Sequence, residues 1–263
     1  MTALRQLVSA LRNGDVTVLD LTAPLDENTP IIALPPERGQ PWPFAREVIS
    51  RYDDAGPDVY WNNIRLSEHT GTHFDAPVHW QPGRELEDVS QVPAGRLVGP
   101  AAVLDFSAEA SVDPDFLLRR DHVESWVAEH GALPDAGWLL YRTGWDSRAG
   151  DPAGFLNGGH TPGIEPSCAR WLAEEHTLLG IGVETVGTDA GLAAQFSDQP
   201  FPCHWYFQGS GRYGLTQLRN LALLPPQGAV LITGPLPIVG GSGSPARVLA
   251  LVDTPAECED VDV

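Results

Sequence analysis

Between Ser67 and Trp80 the chain reads SEHTGTHFDAPVHW, and this stretch holds the side chains best suited to chemistry. Three of the eight histidines, His69, His73 and His79, fall within eleven residues, with Asp75 among them. Neutral imidazole and carboxylate are the usual nitrogen and oxygen ligands of zinc, manganese and iron. Donors sharing one ion sit about 2.0–2.2 Å from it, hence within roughly 3–4 Å of each other. A straight strand would hold His69 and His73 about 13 Å apart, at ~3.3 Å per residue. A helical turn would bring them together but swing Asp75 away, and Gly71 and Pro77 both oppose a helix. The spacing therefore predicts a bent loop with Gly71 at the bend. An extended stretch should follow, in which His73 and Asp75 point the same way. The other histidines, His122, His130 and His176 among them, are read as surface or packing residues.

Composition narrows the chemistry around that cluster. The 263 residues carry 16 arginines, no lysine and 35 acidic residues, a formal charge of −19. Without lysine there is no Schiff-base chemistry and no P-loop. The acid excess excludes nucleic acid and anionic membrane surfaces as partners, since both need clustered cations. No apolar run is long enough to cross a bilayer. Three widely spaced cysteines, Cys168, Cys203 and Cys258, form no CxxC pair, and the N-terminus lacks the features of a signal peptide, so a cytoplasmic protein is expected.

The elements that must position the cluster follow from periodicity. Leu4, Leu7, Val8 and Leu11 share one face of a helix, with Thr2 before it and Gly14 at its end. Strands are predicted over 16–22, 59–66, 96–106, 138–142, 178–183, 229–233 and 246–252. Residues 23–56, rich in proline, read as a long loop with one helical turn near Arg46–Arg51, and its Trp42 and Phe44 as a cover for a pocket. One helix should start at an Asp121 N-cap with Glu124 three residues on, and bury Val123 and Trp126. Another follows Pro166. The glycine-rich 240–243 segment does not fit a nucleotide-binding GxGxxG. The pattern is α+β, one domain over 1–253, with an acidic, frayed tail over 254–263.

The segment HTGTHFDAPVH also resembles the HxGTHxDxPxH signature of the cyclase family of metal-dependent hydrolases, which includes bacterial kynurenine formamidases and isatin hydrolases. LLYRTGWD from Leu139, WLAEE from Trp171 and IGVETVGTD from Ile181 agree with it in the same order. The resemblance implies a swivelling β/β/α barrel-like fold, a homodimer or homotetramer, and hydrolysis of a C–N bond in an aromatic amide or lactam. It implies His69, His73 and Asp75 as metal ligands and His79 as general acid/base. Kynurenine formamidases add a second metal through a downstream histidine, matched by His204, and a glutamate twelve residues later. Thr216 stands at that second place, with Gln217 beside it as a weak donor. Loss of the carboxylate points to one divalent ion per chain, Mn2+ or Zn2+, as in the isatin hydrolases. His204, Thr216 and Gln217 remain as second-site or substrate contacts. The aromatic residue of the formamidases near the N-terminus is replaced around Ile31–Ile32, which argues against formylkynurenine.

The expected mechanism is metal-assisted hydrolysis of a small aromatic substrate, His79 shuttling the proton and titrating near neutrality. Trp80, Trp205 and Tyr206 flank the site residues and suit a flat ring. Arg142 is a candidate carboxylate contact, or else a structural ion pair. Three alternatives remain: a metal-dependent cyclase or lactone hydrolase of secondary metabolism, a non-haem iron oxygenase with two histidines and one carboxylate, and a binding protein that has lost catalysis.

Overall fold

Short strands that are apolar on both faces and separated by helical crossovers demand a parallel sheet covered on both sides. The computed structural model, which describes residues 2–254, has this arrangement; the expected frayed tail and Cys258 lie outside the described residues. The strands are β1 (Val16–Asp20), β2 (Ala45–Asp53), β3 (Gly56–Arg65), β4 (His73–Asp75), β5 (Val98–Asp105) and β6 (Leu117–Leu118), then β7 (Trp138–Arg142), β8 (Gly163–Ile164), β9 (Gly180–Val183), β10 (Tyr213–Thr216), β11 (Ala229–Pro235) and β12 (Gly243–Asp253). The helices are α1 (Ala3–Asn13), α2 (Ser107–Val112), α3 (Arg120–His130), α4 (Pro152–Leu156), α5 (Pro166–Glu175) and α6 (Pro202–Tyr206).

Strands β5, β7, β9 and β10 are parallel neighbours, joined by connections that carry the helices. Antiparallel β11 and β12 extend one edge, and β4 the other. The sheet then closes, because β4 also pairs with the first residues of β12. The ring is a seven-stranded barrel, with β1 added along the far half of β12. The expected single-domain α+β barrel is what the chain forms.

Alternation along the strands divides the core in two. Val103, Trp138, Leu140, Leu215, Leu231, Val248 and Phe74 fill the barrel. Leu104, Leu139, Tyr141, Ile181 and Val183 face outward and pack under Val123, Leu172 and Phe207 from the helical side. Burying a leucine-sized side chain contributes about 1.5–3 kcal/mol. That benefit on both faces of each parallel strand explains why short strands suffice.

Three local expectations are corrected. Arg46–Arg51 is not a helical turn: it lies in β2, which pairs with β3 in a hairpin. Val48 and Ile49 are β-branched, and Asp53 accepts the backbone N–H of Ala55 to close the turn, so local chemistry favours the hairpin. Asp121 does not cap its helix. The helix begins at Arg120, two residues earlier than that cap implies, after Arg119, whose guanidinium holds the Asp121 carboxylate at 3.2 and 3.3 Å. Trp42 is exposed, with the Arg65 guanidinium over its ring, and covers none of the cavities described below. Helix α1 is present as read, but its face of Leu4, Leu7, Val8 and Leu11 is solvent-exposed. Among the described residues, no helix is long and apolar enough to cross a membrane.

Candidate metal centre

The bend expected at Gly71 forms, with φ +65° at that glycine. Thr70 accepts the backbone N–H of Ser67 through its hydroxyl, which tightens the turn. Thr72 then accepts the N–H of Ala23 and donates to the carbonyl of Gln217, pinning the turn to two distant segments. From there the chain enters β4, held on one side by β10 and on the other by β12. Phe74 points into the barrel, so His73 and Asp75 share the opposite face. Both residues opposite Asp75 in the neighbouring strands are glycines: Gly214 leaves room for its carboxylate and Gly243 for the His69 ring. After Ala76, Pro77 starts a single 3-10 turn that folds His79 back over the cluster.

The side chains converge on Asp75. Its Oδ1 lies 2.8 Å from His69 Nδ1 and 3.3 Å from His73 Nε2. These spacings match the roughly 3–4 Å expected of donors sharing one ion. His73 directs its other nitrogen, Nδ1, to the Gly71 carbonyl at 2.7 Å, which favours the Nδ1–H tautomer and leaves the Nε2 lone pair between Asp75 and the Thr216 hydroxyl, 3.1 Å away. The donor set, two nitrogens and a carboxylate oxygen, suits Mn2+ or Zn2+. The ring of His79 stacks on His69 with centroids 3.9 Å apart. One ligand atom each from His69, Asp75 and His79 also lies within 4.8 Å of the others; His73 is not in that group and reaches the cluster through Asp75 Oδ1 at 3.3 Å.

Electrostatics follow from this crowding. Burial pushes the Asp75 carboxyl up, but the imidazoles of His73, His69 and His79 crowded around it hold it well below the usual carboxylate range. Burial lowers the His79 pKa to about 3, with His69, His204 and His73 adding to the effect against the opposing charge of Asp75. The near-neutral titration expected of His79 therefore does not occur in this packing; the ring is a neutral, weak base.

Beyond this cluster lies His204, in the middle of α6, its ring centroid 5.4 Å from that of His79. Its Nδ1 is 2.5 Å from Asp189 Oδ2, and the other oxygen of Asp189 accepts the N–H of Cys203. Burial disfavours the charged ring, yet the hydrogen bond and charge of Asp189 raise the His204 pKa overall. Thr216, opposite His73 in β10, places its hydroxyl 2.8 Å from His73 Nδ1. Gln217 donates to the Pro30 carbonyl and lines a different cavity, with Glu184 and Asp146. Trp80 lies 4.7 Å from His204 between ring centroids, and with Phe201 and Trp205 borders a cavity of about 450 Å³. Tyr206 packs in the helical layer instead. Arg142 pairs with Asp105 and Ser107, the structural role.

Several residues now seen around the site gave no sign in the sequence. Asp189 sat in a matching stretch without an assigned role. Ser242, whose hydroxyl is 2.8 Å from His69 Nε2, is 173 positions away in the chain. Only closure of the barrel between β4 and β12 brings it near.

The model of the family described as "Putative cyclase" matches residues 19–190, and the chain belongs to that family. It is 44% identical to an isatin hydrolase of Roseibium aggregatum over 95% of this chain and 97% of that one. It is 31% identical to a kynurenine formamidase of Salinibacter ruber, over 81% and 92% of the two chains. Among solved structures, isatin hydrolase A from Ralstonia solanacearum superposes with a TM-score of 0.93 at 45% identity, covering 96% of this chain and 98% of that chain. The chain is thus a metal-dependent hydrolase of the class that acts on C–N bonds.

Proposed function

We propose that this enzyme opens the lactam ring of an isatin-class substrate by adding one water. One divalent cation, Mn2+ or Zn2+, would be held by His69, His73 and Asp75. When bound, such an ion polarises a scissile carbonyl and acidifies a water molecule. The remaining steps belong to the protein. His79 takes a proton from the water as its oxygen bonds to the carbonyl carbon. The C–N bond then breaks and the same proton passes to the leaving nitrogen, giving an aromatic amine and a carboxylic acid, which releases the second proton of the water to solvent as it becomes the carboxylate. A ring with a pKa near 3 is a poor base alone, but once protonated it is a strong acid, suited to immediate delivery. His204, whose pKa is, against its burial, raised by the hydrogen bond and charge of Asp189, faces the site from the far side and would steady a developing oxyanion. Trp80, Phe201 and Trp205 offer flat apolar surface for a bicyclic ring.

The observation that carries this reading is the convergence of two imidazole nitrogens on one buried carboxylate oxygen, at 2.8 and 3.3 Å. The near full-length similarity to an isatin hydrolase, with Thr216 where a second metal would need a carboxylate, favours a single-ion lactamase over a two-metal formamidase. The test is to incubate the metal-loaded enzyme with isatin, an N-formyl aromatic amine and an aromatic lactone, following product mass. Gain of one water from isatin supports the proposal. Preferred turnover of the formyl amine, or a product of unchanged mass, contradicts it.

Two further readings go with it. Free, buried Cys168 and Cys203 support a reducing cytoplasm. The exposed apolar face of α1 and the exposed Tyr60, Trp61 and Ile64 of the β2–β3 hairpin support a homo-oligomer, a dimer or tetramer. A monomer by light scattering would exclude the latter.

A further inference from the structure

The glycine-rich segment between β11 and β12 does not bind a nucleotide phosphate; it lies against His69. Ser242 within it receives two constraints from Glu68, donating to Glu68 Oε2 through its hydroxyl at 2.7 Å and its backbone N–H at 3.1 Å. The same hydroxyl oxygen is 2.8 Å from His69 Nε2. A serine hydroxyl has one hydrogen and two lone pairs. Its hydrogen goes to the carboxylate, so toward His69 it can only accept. His69 must therefore carry its proton on Nε2, which leaves Nδ1 as the bare nitrogen, and Nδ1 is the atom 2.8 Å from Asp75 Oδ1.

The surrounding backbone lies close against both side chains. A Cβ on Gly243 would come within 2.6 Å of His69 Cε1, and one on Gly241 within 2.9 Å of Glu68 Oε1. The two glycines flanking Ser242 thus let the loop close directly onto the ring and its carboxylate partner. We propose that Glu68 and Ser242 are positioning residues that lock His69 as an Nδ1 ligand and thereby set how tightly the active-site cation is held. This inference rests on the metal-site reading above, and goes beyond it by assigning the tautomer and the residues that impose it. Neither residue reaches the reacting atoms, so their effect should fall on ion retention.

Outer partners of a metal-binding histidine typically contribute about 10–100-fold in affinity. The test measures Mn2+ affinity of the full chain by competition with a fluorescent chelator, for wild type, Ser242→Ala, Ser242→Thr and Glu68→Gln. Thermal unfolding of each variant confirms the fold. Ser242→Ala should bind Mn2+ roughly 10–100-fold more weakly at unchanged saturating stoichiometry. Ser242→Thr, which keeps the hydroxyl, should stay within a few-fold of wild type, and Glu68→Gln should fall between them. The d–d absorption of a Co2+-loaded sample should shift in Ser242→Ala and not in Ser242→Thr. Equal Mn2+ affinity in wild type and Ser242→Ala would overturn this inference alone. A wild-type chain that takes up no cation would overturn the metal-site reading and this one with it.

Discussion

Glu184 is 1% exposed, and its two oxygens have unlike surroundings. Oε2 accepts the backbone N–H groups of Thr143 and Trp145 and the Thr143 hydroxyl. Oε1 has no partner. Burial, with the nearby charge of Asp146, raises its pKa from 4.5 to about 7, against the three hydrogen bonds that favour the ion. An acid whose pKa is raised in the fold stabilises it fully below the unfolded value, and that contribution is lost as pH climbs through the folded value. The window is therefore pH 4.5 to about 7. At about 1.4 kcal/mol per pH unit, ionised Glu184 costs the fold roughly 3 kcal/mol above that window. Glu184→Gln keeps an acceptor for the three donors and removes the charge. Its stability relative to wild type should rise by about 3 kcal/mol between pH 5 and pH 8.5, on the order of 5–10 °C in Tm for a domain this size. Paired thermal melts across that range measure it, and the difference between variants cancels the carboxylates common to both. A difference that does not vary with pH would refute the reasoning, because it would mean Glu184 titrates alike in folded and unfolded chains.

Two other substitutions separate roles within the cluster. His79→Ala should retain the cation and lose turnover by about 10²–10⁴-fold, the usual contribution of a general acid/base. Metal loss in that variant would instead make His79 a ligand, the arrangement its position beside His69 and Asp75 also allows. Gly214→Ala places a Cβ 2.8 Å from Asp75 Oδ2 and 2.8 Å from Gln208 Nε2, so the carboxylate must shift. Cation affinity by chelator competition should drop roughly tenfold or more, and unchanged affinity would show that Asp75 has more freedom than this packing grants.

Much of the site was legible because its residues are close in sequence. Gly71, the i and i+2 pair His73 and Asp75, and the Pro77 turn are local features, and local sterics decide them. The strands at 138–142 and 180–183 were readable for a similar reason, since burial on both faces leaves an unbroken apolar run. What escaped depends on long-range closure. Ser242 meets His69 only after β12 pairs with β4, and Asp189 reaches His204 only through the loop before α6. No periodicity records such contacts. The strand over 59–66 was readable and lies in β3, but its partner β2 was missed because it is largely exposed and lacks the alternation that marks a half-buried strand. The lowered pKa of His79 was equally invisible, since it comes from burial among three other imidazoles.

The central claim is that one cation is held by His69, His73 and Asp75. Metal analysis of the purified wild-type chain and of His73→Ala, each saturated with Mn2+ and then desalted, tests it most directly. About one ion per wild-type chain and almost none in His73→Ala is the predicted result, given that His73 Nε2 lies 3.3 Å from Asp75 Oδ1. Undiminished metal in His73→Ala, or two tightly held ions per wild-type chain, would contradict it.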